Sequence, residues 1–172
     1  MMMRRTGFWT LLLVWGLLSQ AFAQATVENE EQGFALTLLP GWTRLANKPD
    51  FPTSYLRVSS PAGVADGALY LQVFQQGSYT PESYRAAVRR YVTETMDGEI
   101  LADRPIVVNE REAWRIEYQG ESVGYTGDRR HFMNTVIFHD GKIFAVHCAS
   151  TNQAWESVKD GFEQISSTLV LE

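Results

Sequence analysis

The 172-residue sequence has a single cysteine, fewer basic than acidic residues and, beyond its first 23 residues, no long hydrophobic run. Cys148 alone cannot form an internal disulfide, so the hydrophobic core must stabilise the fold by itself. Fifteen Lys and Arg against twenty Asp and Glu give a net charge of −5, which is unsuited to binding nucleic acid. The sequence also lacks a phosphate-binding Gly-rich loop, an EF-hand spacing and a zinc-binding Cys pattern. We therefore expect no metal, no cofactor and no nucleic-acid partner.

The first 23 residues have the three parts of a secretory signal peptide. Arg4 and Arg5 form the positive start, residues 8–18 the apolar centre, and Ala21-Phe22-Ala23 the small-residue cleavage site. The apolar run is much shorter than the roughly 20 residues that a membrane-spanning helix needs. We predict cleavage of residues 1–23 before Gln24, which leaves thirteen basic residues against twenty acidic ones, a net charge of −7. The mature protein is then exported, either periplasmic or secreted, and has no transmembrane segment.

The mature chain, residues 24–172, is predicted to form a single domain because no linker, repeat or low-complexity tract divides it. Thr80 is suited to begin a helix that ends at Gly98, and Asn152 is suited to begin a second helix. Residues 44–53 contain two prolines and indicate a loop. Alternating apolar residues predict strands at 34–39, 55–59, 68–74, 100–101, 106–108, 113–119, 132–138 and 143–149. The short connections between strands predict an α+β fold with a mostly antiparallel sheet.

The dipeptide Asp140-Gly141 predicts a tight hairpin, because it readily adopts the positive φ angles of a two-residue turn. The resulting register pairs Phe138 with Ile143, Ile137 with Phe144, Asn134 with His147, and Met133 with Cys148. Both faces of this hairpin are apolar, which predicts a central position in the sheet with a helix on each face. His147 and Cys148 point to opposite faces and cannot bind one metal ion together. We expect a satisfied polar pair at Asn134 and His147, and a buried structural thiol rather than a reactive one at Cys148.

Both predicted helices have an apolar stripe at helical spacing. The stripe of the first helix consists of Tyr84, Ala87, Val88, Tyr91 and Val92. Three arginines lie off this stripe and indicate a solvated face or, alternatively, a patch for an anionic ligand: Arg85, Arg89 and Arg90. The stripe of the second helix consists of Trp155, Val158, Phe162 and Ile165. Trp155 and Trp42 are expected to anchor the core.

The segment Gly120-Glu121-Ser122-Val123-Gly124 matches the G-x-S-x-G pattern of hydrolases, in which a strand-to-helix turn exposes the serine hydroxyl. A strand is predicted before Ser122, but residues 125–128 have no helical periodicity. The predicted strands are also joined by hairpins, whereas an α/β-hydrolase needs crossover connections between its strands. We therefore predict no catalytic residues and no enzyme activity, and a Ser122-dependent hydrolase is the alternative.

A small polar cluster precedes the strand at 132–138 and consists of Asp128, Arg129, Arg130 and His131. These residues are the candidates for contact with an acidic ligand or a partner. The alternative is an ordinary solvated loop edge, since loops normally carry such residues.

Two segments of the mature chain resemble the PsbP-like superfamily. Residues 33–42, Gly-Phe-Ala-Leu-Thr-Leu-Leu-Pro-Gly-Trp, are similar to its opening pattern, Gly-Phe-x-hydrophobic-x-x-Pro-x-Gly-Trp. Residues 141–150, 155–162 and 165–167 are similar to its ending. The superfamily includes the extrinsic PsbP subunit of photosystem II, Ran-binding Mog-type proteins and DcrB-type bacterial envelope proteins. The resemblance implies an α/β/α sandwich with a central, mostly antiparallel sheet and helices on both faces, and it brings no catalytic residues.

Together these features predict a non-enzymatic exported envelope protein that binds a protein partner or a small ligand. Two alternatives stay open. One is the Ser122-dependent hydrolase, and the other is an accessory subunit of a membrane complex, as in PsbP.

Overall fold

The computed structural model describes residues 24–46, 54–61, 67–121 and 127–172. The described chain is a mixed α+β fold with many strands and few helices, as the sequence predicts. Its elements are β1 Ala25–Asn29, β2 Phe34–Leu38, β3 Thr43–Leu45, β4 Ser54–Ser59, β5 Ala68–Gln75, α1 Pro81–Arg90, a π-helical segment Tyr91–Thr95, β6 Glu99–Val108, β7 Arg111–Glu121, β8 Arg129–His139, β9 Lys142–Thr151, α2 Trp155–Ser167 and β10 Val170–Leu171.

Seven of the described strands form one antiparallel sheet in the order β3-β4-β5-β9-β8-β7-β6. The other three form a small antiparallel sheet in the order β1-β2-β10, in which the end of the chain pairs with β2. The large antiparallel sheet confirms the coarser part of the prediction, an α+β fold with a mostly antiparallel sheet. β10 was not predicted, because two residues are too few to show a periodic pattern.

The β8–β9 hairpin lies at the centre of the large sheet, and its register is the predicted one at all four pairs. Asp140 and Gly141 have φ angles of 47° and 70°, the left-handed values that this turn requires. Asp-Gly therefore fixes which residues of β8 and β9 face each other.

The strands predicted separately at 100–101 and 106–108 are one continuous strand, β6. Pro105 lies inside it, opposite Trp114. A proline has no N–H to donate, so it interrupts a central strand, but β6 is the outermost strand of the sheet. An edge strand has one unpaired side and tolerates the proline.

Two other boundaries differ from the sequence prediction. Residues 44 and 45, the start of the predicted loop 44–53, belong to β3, because residues 43–45 pair with residues 57–59 of β4. Residues 47–53 of that loop lie outside the described residues. Helix α2 begins at Trp155 rather than after Asn152, and Ala154 caps it without a side-chain hydrogen bond. The reason is that β9 runs to Thr151, whose carbonyl and hydroxyl both accept from the Ala154 N–H in a turn.

The first helix changes to π-helical geometry at Tyr91 and docks on the end of β7. The Glu121 N–H donates to the Met96 carbonyl over 2.8 Å. A Cβ atom on Gly98 would lie 2.7 Å from the Gln119 carbonyl, so only glycine allows this approach. Val92 is buried as the apolar stripe predicts, whereas Tyr91 is exposed. The widened turn explains Tyr91, since the stripe assumed 3.6 residues per turn throughout.

The main core joins α2 to both sheets. Trp155, Val158, Phe162 and Ile165 are buried as predicted, against strands that include β8 and β9. Trp42 is partly buried, with its ring 5.3 Å from that of Phe162. Cys148 is also buried here, and burial raises the pKa of its thiol to about 12, which agrees with a structural thiol. The two tryptophans both contact Phe162, since the Trp155 ring packs on it as well.

A second set of buried residues lies between the π-helical segment and β7, and it consists of Val92, Met96, Ile116 and Tyr118. Within the described residues, no helix is long and apolar enough to cross a membrane.

Candidate binding groove

An open groove of about 740 Å³ lies between the first turn of α1 and the strands β6, β7 and β8. The helix contributes Pro81, Glu82 and Arg85. The capping box of α1 fixes this turn, because the Thr80 hydroxyl accepts from the Ser83 N–H and the Ser83 hydroxyl accepts from the Thr80 N–H. The position of the first turn of α1, which forms one wall of the groove, is therefore determined by the nearby residues Thr80 and Ser83.

The sheet wall of the groove is mostly apolar. Register brings Pro105 opposite Trp114, and Trp114 opposite Val136. Val107 stands on the same face and is 69% exposed, the largest exposure of any bulky apolar side chain in the described residues. Together with Pro105 and Trp114, Val107 makes this wall a contiguous apolar surface and therefore a candidate interaction site.

Asp103 holds Trp114 and α1 in place at the side of the groove. Its Oδ1 accepts from the Trp114 indole Nε1–H over 2.6 Å and from Arg85 Nε over 2.7 Å. Its Oδ2 accepts from Arg89 Nε. The Arg85 guanidinium also lies over the Trp114 ring, 5.7 Å from the ring centre. The indole wall is thus oriented before any ligand arrives, and an oriented side chain loses less entropy on binding.

The electrostatics of Asp103 favour its charged form. Burial alone would raise the pKa of this carboxyl, but the hydrogen bonds from Trp114, Arg85 and Arg89 outweigh burial and hold the pKa below its usual value. The carboxylate is therefore ionised at neutral pH and pairs with both arginines.

Two carboxylates at the groove have no such pairing. Glu82 on the helix side and Glu112 on the sheet side are both exposed. Neither forms a hydrogen bond or an ion pair with any side chain that the structure describes. Glu112 lies directly opposite Val107 in the β6–β7 register.

The predicted binding cluster 128–131 is divided among three places. Asp128 pairs with Arg130 over 2.9 Å, and Arg129 donates to the Asp97 carbonyl over 3.1 Å. His131 is buried instead and stacks on Trp155, with 3.8 Å between ring centres. Strand alternation separates these neighbours, because Arg129 and Arg130 point to opposite faces of β8.

His131 belongs to an interior hydrogen-bond network that also includes the ion pair of Glu117 and Lys159. Its Nε2–H donates to Glu117 over 2.8 Å, and its Nδ1 accepts from Gln119 over 3.3 Å. Glu117 also pairs with Lys159 of α2 over 3.1 Å. Burial lowers the pKa of His131, against the opposing effect of Glu117, so the imidazole is neutral at pH 7. This network ties α2 to β7 and β8.

The other candidates from the sequence also have defined positions, with one exception. Arg85 and Arg89, the possible anionic-ligand patch, both bind Asp103, while Arg90 is exposed. Ser122 lies outside the described residues.

The pair of Asn134 and His147 is not satisfied as predicted. Asn134 Nδ2 donates to the Tyr118 hydroxyl over 3.3 Å, and the His147 ring stacks on Tyr70 with 4.8 Å between ring centres. The Asn134 Oδ1 and His147 Nε2 atoms are buried without a hydrogen-bond partner among the described residues. Burial lowers the pKa of His147 to about 4. The ring is therefore uncharged at neutral pH.

Comparisons with known proteins agree on the fold. The family model of PsbP matches residues 72–171. A search of curated proteins finds no match. Among solved structures, cyanobacterial PsbP (CyanoP) from Synechocystis is 16% identical, with a TM-score of 0.63 over 86% of this chain and 92% of that one.

Two further solved structures come from distant organisms. LpqN of Mycobacterium tuberculosis, described as involved in cell envelope biogenesis, is 13% identical, with a TM-score of 0.64 over 87% of this chain and 90% of that one. The Ran-binding protein Mog1p of Saccharomyces cerevisiae is 9% identical, with a TM-score of 0.61 over 87% of this chain and 95% of that one. At such low identity these structures establish a shared fold and no shared site.

Proposed function

The chain belongs to the PsbP family, and from that premise we propose that it is a non-enzymatic, exported envelope protein that binds a protein partner through the groove. The observation that carries this proposal is the exposed apolar wall around Val107, set beside a tryptophan that Asp103 already orients. Tryptophan and arginine are the residues most often found at binding hot spots, and Trp114 and Arg85 both line the groove.

The chemistry of the groove supports binding rather than catalysis. Its ionisable lining residues are Glu82, Arg85 and Glu112, and Arg85 is engaged by Asp103. Hydrolysis by an activated nucleophile needs a serine, cysteine or similar group beside a base, and the lining residues that the structure describes provide no such pair. A relative with the same fold, Mog1p, is named for binding Ran.

Export and domain organisation form the second part of the proposal. We propose that residues 1–23 are a signal peptide and that residues 24–172 form one PsbP-like domain. The tripartite pattern of the first 23 residues supports it, as does the envelope role in the description of LpqN. Sequencing of the native protein should give an N-terminus at Gln24, within two residues. An intact Met1 would contradict export by cleavage.

We also propose the three-layer α/β/α arrangement, with α1 and α2 on opposite faces of the large sheet. Strand alternation supports it. Along β7, Trp114, Ile116 and Tyr118 pack with the residues around α1 and the π-helical segment. Arg115 lies between them in sequence and pairs with Glu163 of α2.

Site-specific photo-crosslinking tests the binding role directly. A photoreactive phenylalanine derivative replaces Val107 in one variant and Val170, which is 49% exposed on the small sheet, in a control. We expect a discrete protein adduct from intact cells at position 107 and none of the same mass at 170. Absence of an adduct at 107, or the same adduct at both positions, would contradict binding through the groove.

The crosslinking result, together with co-purification and a fluorophosphonate probe, separates the alternatives of an accessory subunit, a small-ligand binder and a hydrolase. An adduct that contains a subunit of a membrane complex, and that co-purifies from intact envelopes, would identify an accessory subunit. A small ligand would give no protein adduct at 107. Labelling of Ser122 by a fluorophosphonate probe would favour the hydrolase, and we expect none.

A further inference from the structure

We infer that the groove accepts an apolar segment of the partner protein that carries lysine or arginine. The inference rests on the proposed binding role and adds the chemistry of the bound segment.

The apolar part follows from the sheet wall. Val107 and Pro105 are exposed, and Trp114 and Phe138 are partly buried beside them. A polar group placed against these four side chains would lose its hydration without gaining a hydrogen bond, because Val107, Pro105 and Phe138 have no polar side-chain atoms and the Trp114 N–H already donates to Asp103. An apolar segment instead removes its own surface and that of Val107 from water.

The basic part follows from the two unpaired carboxylates. Glu82 and Glu112 stand on opposite walls of the groove, and neither has an ion-pair partner among the described residues. Arg85 is the one cation among the lining residues, and its guanidinium is directed to Asp103 and over the Trp114 ring. A segment that brings Lys or Arg between the walls therefore meets charges that the protein itself leaves free.

An acidic segment is disfavoured for the same reason. Arg85 and Arg89 share Asp103, so an acidic group would have to compete with a carboxylate already bound by both. It would also approach Glu82 and Glu112, on a chain whose net charge is −5. Long-range electrostatics thus slows the approach of acidic partners and accelerates that of basic ones.

Selection from a displayed library of random 12-residue peptides tests the inference even while the partner is unidentified. The purified chain 24–172 is the bait, and the Val107→Asp variant removes peptides that bind elsewhere. We expect the selected peptides to combine apolar residues with Lys or Arg. For a selected peptide, Glu82→Gln with Glu112→Gln should weaken binding about fivefold, because exposed ion pairs contribute modestly.

Charge reversal provides the sharper comparison. With Glu82→Lys and Glu112→Lys as bait, the selected peptides should carry Asp or Glu in place of Lys or Arg. The control Glu28→Lys with Glu30→Lys makes the same change of charge at two exposed residues of the small sheet and its turn, and should still select basic peptides.

Several results would overturn the inference. One is selection of groove-dependent peptides without a basic preference, and another is a preference that Glu82→Lys with Glu112→Lys leaves unchanged. Failure to select any peptide that depends on Val107 would overturn it as well. The photo-crosslink at Val107 decides independently whether the groove binds a protein at all, so the two failures are distinguishable.

Discussion

Asp103 is the residue that connects the helix and sheet walls of the groove. It binds Arg85 and Arg89 from α1 and the indole of Trp114 from β7. Substitution of this one side chain therefore removes the carboxylate that pairs with both arginines and orients the indole of Trp114. We therefore expect a substitution of Asp103 to weaken binding of the partner, even though Asp103 does not line the groove.

Asp103→Asn should lower the free energy of unfolding by about 1–2 kcal/mol, because partly exposed ion pairs and one charged hydrogen bond are lost. Urea denaturation of variant and parent measures this difference. The matched control is Asp97→Asn, since Asp97 is almost fully exposed and lies 3.7 Å from Arg129. We expect no measurable change for the control, and an equal effect of both substitutions would contradict the role of Asp103.

The pH dependence of the Asp103 contribution has a definite sign. The pKa of Asp103 is lowered in the folded protein, so its stabilising effect is complete above about pH 4, the usual value for an unfolded chain. The effect is lost as the pH falls through the lower folded value. The difference in stability between Asp103→Asn and the parent should therefore shrink below pH 4.

We expect His147 to cause a second pH dependence of stability, at higher pH than that of Asp103. Its pKa falls from 6.5 to about 4 on folding because the ring is buried, so the unfolded chain binds a proton that the folded chain excludes. The stability should be complete above pH 6.5 and should decrease as the pH falls toward 4, by about 3 kcal/mol in total from this residue.

His147→Gln should flatten that slope between pH 6.5 and 4 in urea denaturation. Tyr70→Phe keeps the histidine and its stacked ring, and should retain the parental slope. An unchanged slope for His147→Gln would show that His147 is not the group that is protonated on unfolding.

The sequence predicted the buried residues better than the residues of the groove. Cys148 and Trp155 are recognisable because a buried strand or helix face repeats at fixed spacing. Asp103 is not recognisable from the sequence, because the face of the sheet on which it lies depends on a register shift within β6. The register shifts between Ile100 and Ala102, and without the extra residue Asp103 would stand opposite Arg115 rather than Ile116. No local sequence pattern indicates where a bulge falls.

At the scale of elements, α2 connects the two sheets through the main core. Its stripe packs against both sheets, and Lys159 and Glu163 pair with Glu117 and Arg115 of β7. Helix and sheet are thus joined by apolar packing in the centre and by ion pairs along one side.

Trp155→Ala should lower the free energy of unfolding by about 3–5 kcal/mol, since the side chain is 1% exposed and leaves a large cavity. For a domain of this size the thermal midpoint should fall by roughly 6–20 °C. Val170→Ala, at an exposed position of β10, should change the free energy by less than about 0.5 kcal/mol. Unchanged stability of Trp155→Ala would contradict the role of the tryptophan as a core anchor.

The elements that sequence reasoning misplaced all depend on tertiary contacts. β6 continues through Pro105 because it is an edge strand, and β3 exists because β4 lies beside it. The π-helical segment ends at Thr95, and Gly98 then approaches the backbone of β7. Each outcome depends on which element is the neighbour, and the local sequence of one segment does not specify its neighbour.

At the scale of the whole molecule, the seven-stranded antiparallel sheet has the groove at its edge strand β6. The family match covers residues 72–171 and so includes the ending pattern at 141–150, 155–162 and 165–167, whereas the opening pattern at 33–42 lies outside it. Both patterns include residues of the main core, such as Phe34 and Phe162. The groove lies elsewhere, at β6 and the first turn of α1. The resemblance therefore indicated the α+β architecture, while the proposed binding surface became visible only in three dimensions.

The central claim is that this chain binds a protein through the groove, and calorimetric titration tests it most directly. The partner captured by the crosslink at Val107 is titrated into the parent chain and into two variants, Val107→Asp and Val170→Asp. We predict that Val107→Asp weakens binding about tenfold or more, and that Val170→Asp leaves it unchanged. Equal affinity of the parent chain and Val107→Asp would contradict the claim.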